Sequence, residues 1–167
     1  MEKKPVVDVI DPSGVIYSQV LESPEGEVRL NLNGADNSET FASKFLTSRF
    51  GAGTQHIALL SDDIFETSKI LEASRFERLQ MPDGYYSDLK QKYGLAEDFV
   101  NKLQASNILY TRNNGEYFQI YSAPIFDGFF FEIVDRRDQY QGYGSRNASA
   151  RLAAQSNYKQ ADRTANV

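Results

Sequence analysis

The stretch that most restricts the fold runs from Asn107 to Arg136. NILYTR and EYFQIYSA flank Asn113-Asn114-Gly115, a turn signal that joins them as a hairpin. Phe129–Arg136 (FFFEIVDR), the most hydrophobic segment of the chain, reads as the strand that follows. Upstream, Thr54–Ser61 (TQHIALLS) is another strand, after which Asp62 or Asp63 caps a helix running to about Ala73. Two more helical stretches, Tyr85–Tyr93 and Leu95–Ala105, precede the hairpin, the second with Leu95, Phe99 and Leu103 on one face. The order is strand, helices, then three strands: a βαβββ unit of the α+β class.

The first third repeats only the end of such a unit. Val15–Leu21 and Glu27–Leu32 flank the turn Ser23-Pro24-Glu25-Gly26, Asn33–Ser38 is a loop, and Glu39–Phe50 is a short amphipathic helix stopped by Gly51-Ala52-Gly53. Residues 1–50 are thus expected to be the remnant hairpin and helix of a preceding unit. Residues 51–150 form the complete unit, and 151–167 a polar tail with one loose helix and a disordered end.

Composition narrows the chemistry. The chain has no cysteine, which removes disulfides, thiolate nucleophiles and thiolate-bound zinc together. It has one histidine, His56, so a site with two histidine ligands cannot come from this chain alone. A net charge of −5 argues against nucleic acid or an anionic membrane as partner, although the end beyond Asp135 is net basic. No stretch reads as a targeting segment or a membrane span, so a cytoplasmic location is expected.

Two residues sit in surroundings that are wrong for them. His56 lies in an apolar strand, and Glu132 stands between Phe131 and Ile133, where an unpaired carboxylate costs several kcal/mol, an order-of-magnitude figure. Strand alternation puts Glu132 on the face of Phe130 and Val134, and His56 on the face of Thr54, Ala58 and Leu60. In a βαβββ sheet the first and last strands can be neighbours. Convergence of the two side chains suggests a divalent metal, iron(II) favoured, with cobalt, manganese or magnesium as alternatives. A hydrogen-bonded core histidine and a glutamate paired with Arg136 or Arg137 is the other reading. Gln119 and Tyr121 share one face of EYFQIYSA and can present an amide and a phenol to a ligand, or face water on an edge strand. Gly142-Tyr143-Gly144 followed by Arg146 and Asn147 reads as a glycine-hinged lid or a plain loop, and Asp62-Asp63 as a helix cap rather than a metal site.

These residues fall in recognisable words. GAGTQHIALLSDDIF, PDGYYSDL, NILYTRNNGEYFQIYSAP, FFFEIVDRR and GYGSRNASARL follow the order of the C-terminal domain of 4-hydroxyphenylpyruvate dioxygenases, of the vicinal-oxygen-chelate superfamily. SGVIYSQVLESPEGEVRLNLN resembles the hairpin before that module, and the resemblance covers about residues 11–150. It implies that His56 and Glu132 bind iron(II), that Gln55 and Gln119 lie near a keto-acid, and that Tyr121 lines the pocket. Ser18 and Asn33 match positions facing the same pocket. Tyr143, Arg146 and Asn147 belong to the closing segment.

The departures carry information too. The family's third iron ligand is a histidine on the first strand of the preceding module, and this chain begins after that strand. A partner module or another chain is expected to supply it, and self-association into a homo-oligomer is expected of an isolated half-cup. Ala148 stands where the family has a substrate-packing Phe, and Arg146 precedes Asn147. That ending is more similar to the dioxygenase-like domain fused behind bacterial 3-dehydroshikimate dehydratases. If Arg146 turns inward, a smaller cyclic carboxylate is expected in place of an aromatic keto-acid. Two functions follow: part of an iron(II) oxygenase, or a non-catalytic module of a dehydratase acting in folding, assembly or regulation.

Overall fold

The Asn113-Asn114-Gly115 turn joins two strands of one of the two four-stranded sheets in the computed structural model of the chain. The structure describes residues 1–11, 13–126 and 128–165, with the side chains of the last helix described to Tyr158. The chain divides into two units, one from Met1 to Gly53 and one from Thr54 onward.

In the first unit β3 (Gly14–Glu22) is the spine. Strands β1 (Glu2–Lys3) and β2 (Val7–Asp11) pair with it in succession along one edge, and β4 (Arg29–Ala35) along the other, all antiparallel. The hairpin read from Val15–Leu21 and Glu27–Leu32 is present as β3 and β4. The two leading strands are a correction to the reading of this unit as one hairpin and a helix. β1 is wholly charged and β2 mixes Val and Ile with Asp, and the buried Asp11 carboxylate accepts the N–H groups of Ser13 and Phe41 at 2.8 and 3.0 Å. Helix α1 (Phe41–Ser48) is shorter than the sequence suggests. Thr40 caps it by accepting the Ser43 N–H, and Ala42 and Phe45 are its buried residues.

The second unit has the strand order β5-β8-β7-β6, with β5 (His56–Leu60), β6 (Leu109–Arg112), β7 (Glu116–Tyr121) and β8 (Phe130–Arg137). First and last strands are neighbours, as expected: β5 runs parallel to β8, and the other pairs are antiparallel. Helices α2 (Ile64–Ala73), α3 (Asp83–Tyr93) and α4 (Glu97–Ala105) fill the connection from β5 to β6. Asp63 caps α2, accepting from Phe65 and Glu66 N–H, which also holds its carboxyl below the ordinary value. Gly94, in the left-handed conformation at φ 61°, ends α3.

One sheet face, with Phe118, Ile120 and Ile133, packs with Ile64, Phe65, Leu79, Leu89 and Leu103 into the main core. Phe118 meets the rings of Phe65, Phe99 and Tyr110 edge-on or tilted. Each such buried side chain contributes about 1.5–3 kcal/mol, so this layer fixes the sheet on which the site is built. Helix α5 (Ala148–Ala165) occupies the stretch expected to hold one loose helix. Ala148, Leu152, Ala154 and Gln155 are buried, because small residues let its backbone lie close to the sheet. Among the described residues no helix is long and apolar enough to cross a membrane.

Candidate functional site

The other face of the second sheet carries the site. Residues in register across neighbouring strands project to the same side. His56 is in register with Phe130, Ala58 with Glu132, and Tyr121 with Glu132, so His56, Phe130, Glu132, Gln119 and Tyr121 share that face. The parallel β5–β8 pairing, made possible by the helical crossover, brings His56 and Glu132 together from positions far apart in sequence.

His56 Nε2 and Glu132 Oε2 lie 3.6 Å apart, too far for a hydrogen bond. The imidazole stacks on Phe130 with ring centres 4.9 Å apart and planes within 6°. Burial pushes its pKa below the ordinary 6.5; Glu132 pulls the other way, and Arg151 adds a smaller downward push. The neutral ring is the form a metal ligand requires. Glu132 pairs with neither Arg136 nor Arg137. Arg137 forks onto Asp135, with its closest approach at 2.7 Å, and Arg136 donates to the Gly142 carbonyl while lying over the Tyr117 ring.

Glu132 is instead held by a chain of buried amides and phenols. Gln119 Nε2 donates to Glu132 Oε1 at 2.7 Å and to the Tyr121 hydroxyl at 2.6 Å. Asn147 Nδ2 donates to Gln119 Oε1 at 2.6 Å, and Asn147 Oδ1 accepts from the Tyr85 hydroxyl at 3.1 Å. That hydroxyl also accepts the Tyr110 N–H at 2.9 Å, which ties the chain to β6. An ionised carboxylate only accepts, so its place at one end dictates which way each amide faces. The Tyr117 hydroxyl donates to Glu132 Oε1 at 3.4 Å. Burial, reinforced by the Glu132 charge, pushes the phenols of Tyr117 and Tyr121 well above their ordinary value, so both stay protonated.

The donor set fits a divalent metal in part. Two donors about 2.1 Å from one ion stand about 3.0–3.4 Å apart, close to the observed separation. Oxygen and nitrogen donors of this kind suit iron(II), cobalt(II) or manganese(II). Among the described residues, however, no group of three or more His, Cys, Asp or Glu assembles. The pair is two corners of a site and does not complete one.

The remaining candidates fall into different places. Gln119 and Asn147 are bonded to each other, and Tyr121 closes over Glu132 beside them. Gln55 stands just before β5, where its backbone carbonyl takes the Phe130 N–H at 3.1 Å. Ser18 and Asn33 belong to the first unit, cross-strand partners joined by a 2.6 Å hydrogen bond. Tyr143 is half-buried in the closing segment. Arg146 is exposed, lining a surface cleft with Tyr85, Asp88, Leu89, Lys92 and Asn147. Sequence reasoning missed Tyr117, Tyr85 and Arg151. The same alternation that singled out Gln119 and Tyr121 also places Tyr117 on their face. Nothing local marks the other two.

No protein-family model matches the chain. Curated relatives do. The chain is 38% identical over 146 residues to the 3-dehydroshikimate dehydratase of Pseudomonas putida, an alignment covering 86% of this chain and 23% of that protein. It is 32% identical over 143 residues to the 4-hydroxyphenylpyruvate dioxygenase of Legionella pneumophila, covering 83% and 41%. Among solved structures, a xylose isomerase-like TIM barrel/4-hydroxyphenylpyruvate dioxygenase fusion protein superposes with a TM-score of 0.75 at 35% identity, over 92% of this chain and 25% of that one. A triple mutant of 4-hydroxymandelate synthase from Streptomyces coelicolor gives 0.82 at 25% identity, over 95% and 46%.

The fold is that of the vicinal-oxygen-chelate dioxygenases. Within that class the chain is a 4-hydroxyphenylpyruvate-dioxygenase-like domain, of the kind also matched in 3-dehydroshikimate dehydratases. It spans under a quarter of the dehydratase relative and about two fifths of the dioxygenase.

Proposed function

We propose that this domain contributes His56 and Glu132 to a non-haem iron(II) centre of aromatic-compound metabolism, with the third protein donor coming from another module. The observation that carries the reading is the His56–Glu132 pair: an imidazole held neutral, and a carboxylate oriented by Gln119 yet not consumed by an arginine. When bound, the metal supplies chelation of a 2-oxo acid or a vicinal oxygen pair and activation of dioxygen. The chain's own residues do the rest. Gln119, backed by Asn147, keeps Glu132 Oε2 turned towards His56, and Phe130, Tyr117 and Tyr121 exclude water from the carboxylate. A cytoplasmic setting suits a chain without cysteine.

With two donors the affinity is weak, because each missing ligand removes bond energy and preorganisation together. Cobalt(II), manganese(II) and anaerobic iron(II) titrations of the wild type, His56→Ala and Glu132→Gln test the assignment, read by calorimetry and by the His56 imidazole resonance. Each variant is expected to lose tenfold or more in affinity. Equal affinity in all three overturns it. The identity to a dehydratase favours a second reading, a non-catalytic module of a larger enzyme. It predicts no metal-dependent shift of the His56 resonance in the wild type.

A further inference from the structure

A surface cleft of about 460 Å³ opens between α3 and the start of α5, wholly within the second unit. Tyr85, Asp88, Leu89 and Lys92 line it from α3, at the i, i+3, i+4 and i+7 positions of one helical face. Arg146, Ser149 and Ala150 line it from the other side of the sequence gap, beside Asn147. A volume of this size is ordinary for a small-molecule site. Neither His56 nor Glu132 belongs to the lining, so the cleft is separate from the candidate metal pair.

Packing sets the inner surface. Leu89 is buried, and the half-buried Tyr85 ring stands edge-on to Tyr86 with ring centres 5.1 Å apart. The Tyr85 hydroxyl is bonded to Tyr110 and Asn147, and Asn147 Nδ2 to Gln119, so these groups shape the cleft and leave apolar surface towards it. The charges are arranged differently. Among the described residues none of Asp88, Lys92 and Arg146 has an opposite charge within 4 Å, although Asp88 and Lys92 stand one turn apart on α3. Lys92 lies over the Tyr93 ring at 5.3 Å. Nearby cations outside the cleft are committed: Lys90 pairs with Glu97 at 3.4 Å, and Arg112 donates to the Tyr93 carbonyl at 2.7 Å. Two cations against one carboxylate make the lining net positive in a chain whose net charge is −5.

Such a lining selects by charge and by shape. A guanidinium fork and an ammonium attract a carboxylate, Asp88 opposes a second negative charge, and the apolar surface takes a short hydrocarbon body. We propose that this cleft binds a small organic monocarboxylate. Arg146 and Lys92 meet the carboxylate, with the Ser149 hydroxyl as a further donor, and the apolar body lies on Tyr85, Leu89 and Ala150. The site is additional to the metal pair and does not depend on it.

The full chain, isotopically labelled and metal-free, is titrated with hexanoate, uncharged hexanamide, acetate and the phosphate dianion. The backbone amides of Gly84, Ser149 and Ala150 report the cleft, and the single His56 imidazole reports the metal pair. Hexanoate is expected to move the cleft signals saturably at millimolar concentration. Hexanamide lacks the charge, acetate lacks the body and phosphate carries a second charge, so each should bind about tenfold more weakly or not at all. Arg146→Gln and Lys92→Gln should each weaken hexanoate about threefold or more, and Arg146→Lys less than Arg146→Gln. Asp88→Asn should improve phosphate binding more than hexanoate binding. All three positions are exposed, and circular dichroism of each variant establishes that the fold is retained. Overturning results are the absence of a saturable shift at the cleft, equal binding of hexanoate and any of the other three probes, or an unchanged affinity in both Arg146→Gln and Lys92→Gln. A hexanoate response at His56 that survives both substitutions also overturns the proposal, because it places the carboxylate elsewhere. The metal reading is decided separately by the cobalt and iron titrations.

Discussion

Replacing Asn147 by alanine is the sharpest test of how Glu132 is held. Asn147 is buried, and its amide links Tyr85 on α3 to Gln119 on β7. The substitution removes two hydrogen bonds, each worth about 0.5–1.5 kcal/mol net, and strands Gln119 Oε1, a buried acceptor whose lost partner costs about 1–3 kcal/mol. Tyr85 is affected less, because its hydroxyl keeps the Tyr110 backbone N–H and carbonyl. The expected loss is about 2–4 kcal/mol, which for a urea slope of about 2 kcal/mol/M moves the midpoint down by about 1–2 M. The assay is urea unfolding of the metal-free chain, followed by far-UV circular dichroism and by the near-UV signal of the tyrosines. A fall of under 0.3 M, with an unchanged slope, would refute the picture of a continuous buried chain from Tyr85 to Glu132.

Three further outcomes follow from the same geometry. Gly144→Ala should destabilise by about 2 kcal/mol or more, since Gly144 has φ 71° and an added Cβ would collide with Gln119 Nε2 and the Tyr117 ring; an unchanged melting temperature contradicts the packing. The metal-free His56 imidazole should titrate below 6.5, because burial outweighs the attraction of Glu132. With the folded pKa depressed, His56 contributes stability that is present above 6.5 and declines as pH falls below it towards the folded value; an NMR midpoint at or above 6.5 refutes this. Edge strand β5 leaves Ile57, Leu59 and Leu60 exposed, Leu60 at 71%. Self-association in sedimentation velocity is expected, weakened by Leu59→Lys, and a concentration-independent monomer counts against it.

Much of the second unit was legible because its signals are local. Asp63 before an apolar run, the Asn-Asn-Gly turn and the period-two pattern of EYFQIY each specify their element from adjacent residues, and the observed boundaries lie within a few residues of those read. The first unit was less legible. MEKKPVVDVID looks like a charged end, and only pairing with β3, a non-local event, makes strands of it. Helix α5 was legible only as a loose helix for a related reason: its polar and alanine-rich residues give no firm pattern until packing buries Ala148, Leu152 and Ala154. In both places long-range packing outweighs weak local preference.

The site shows the same division at the level of single side chains. His56 and Glu132 could be picked out because each is chemically out of place in its own strand, and sheet topology then brought them within 3.6 Å. The arginines could not be ranked that way. Arg146 and Arg151 both follow the glycines, both belong to the basic end, and Arg146 stands nearer the recognisable Asn147. What separates them is the phase at which helix begins. Residues Ser145–Asn147 make one 3₁₀ turn after Gly144, which buries Asn147 against Gln119 and leaves Arg146 outside. The α-helix starts at Ala148, and from there Arg151 projects back over the sheet. Gly144, at φ 71° and too close to Gln119 for a Cβ, therefore sets where Asn147 enters the chain of hydrogen bonds that holds Glu132.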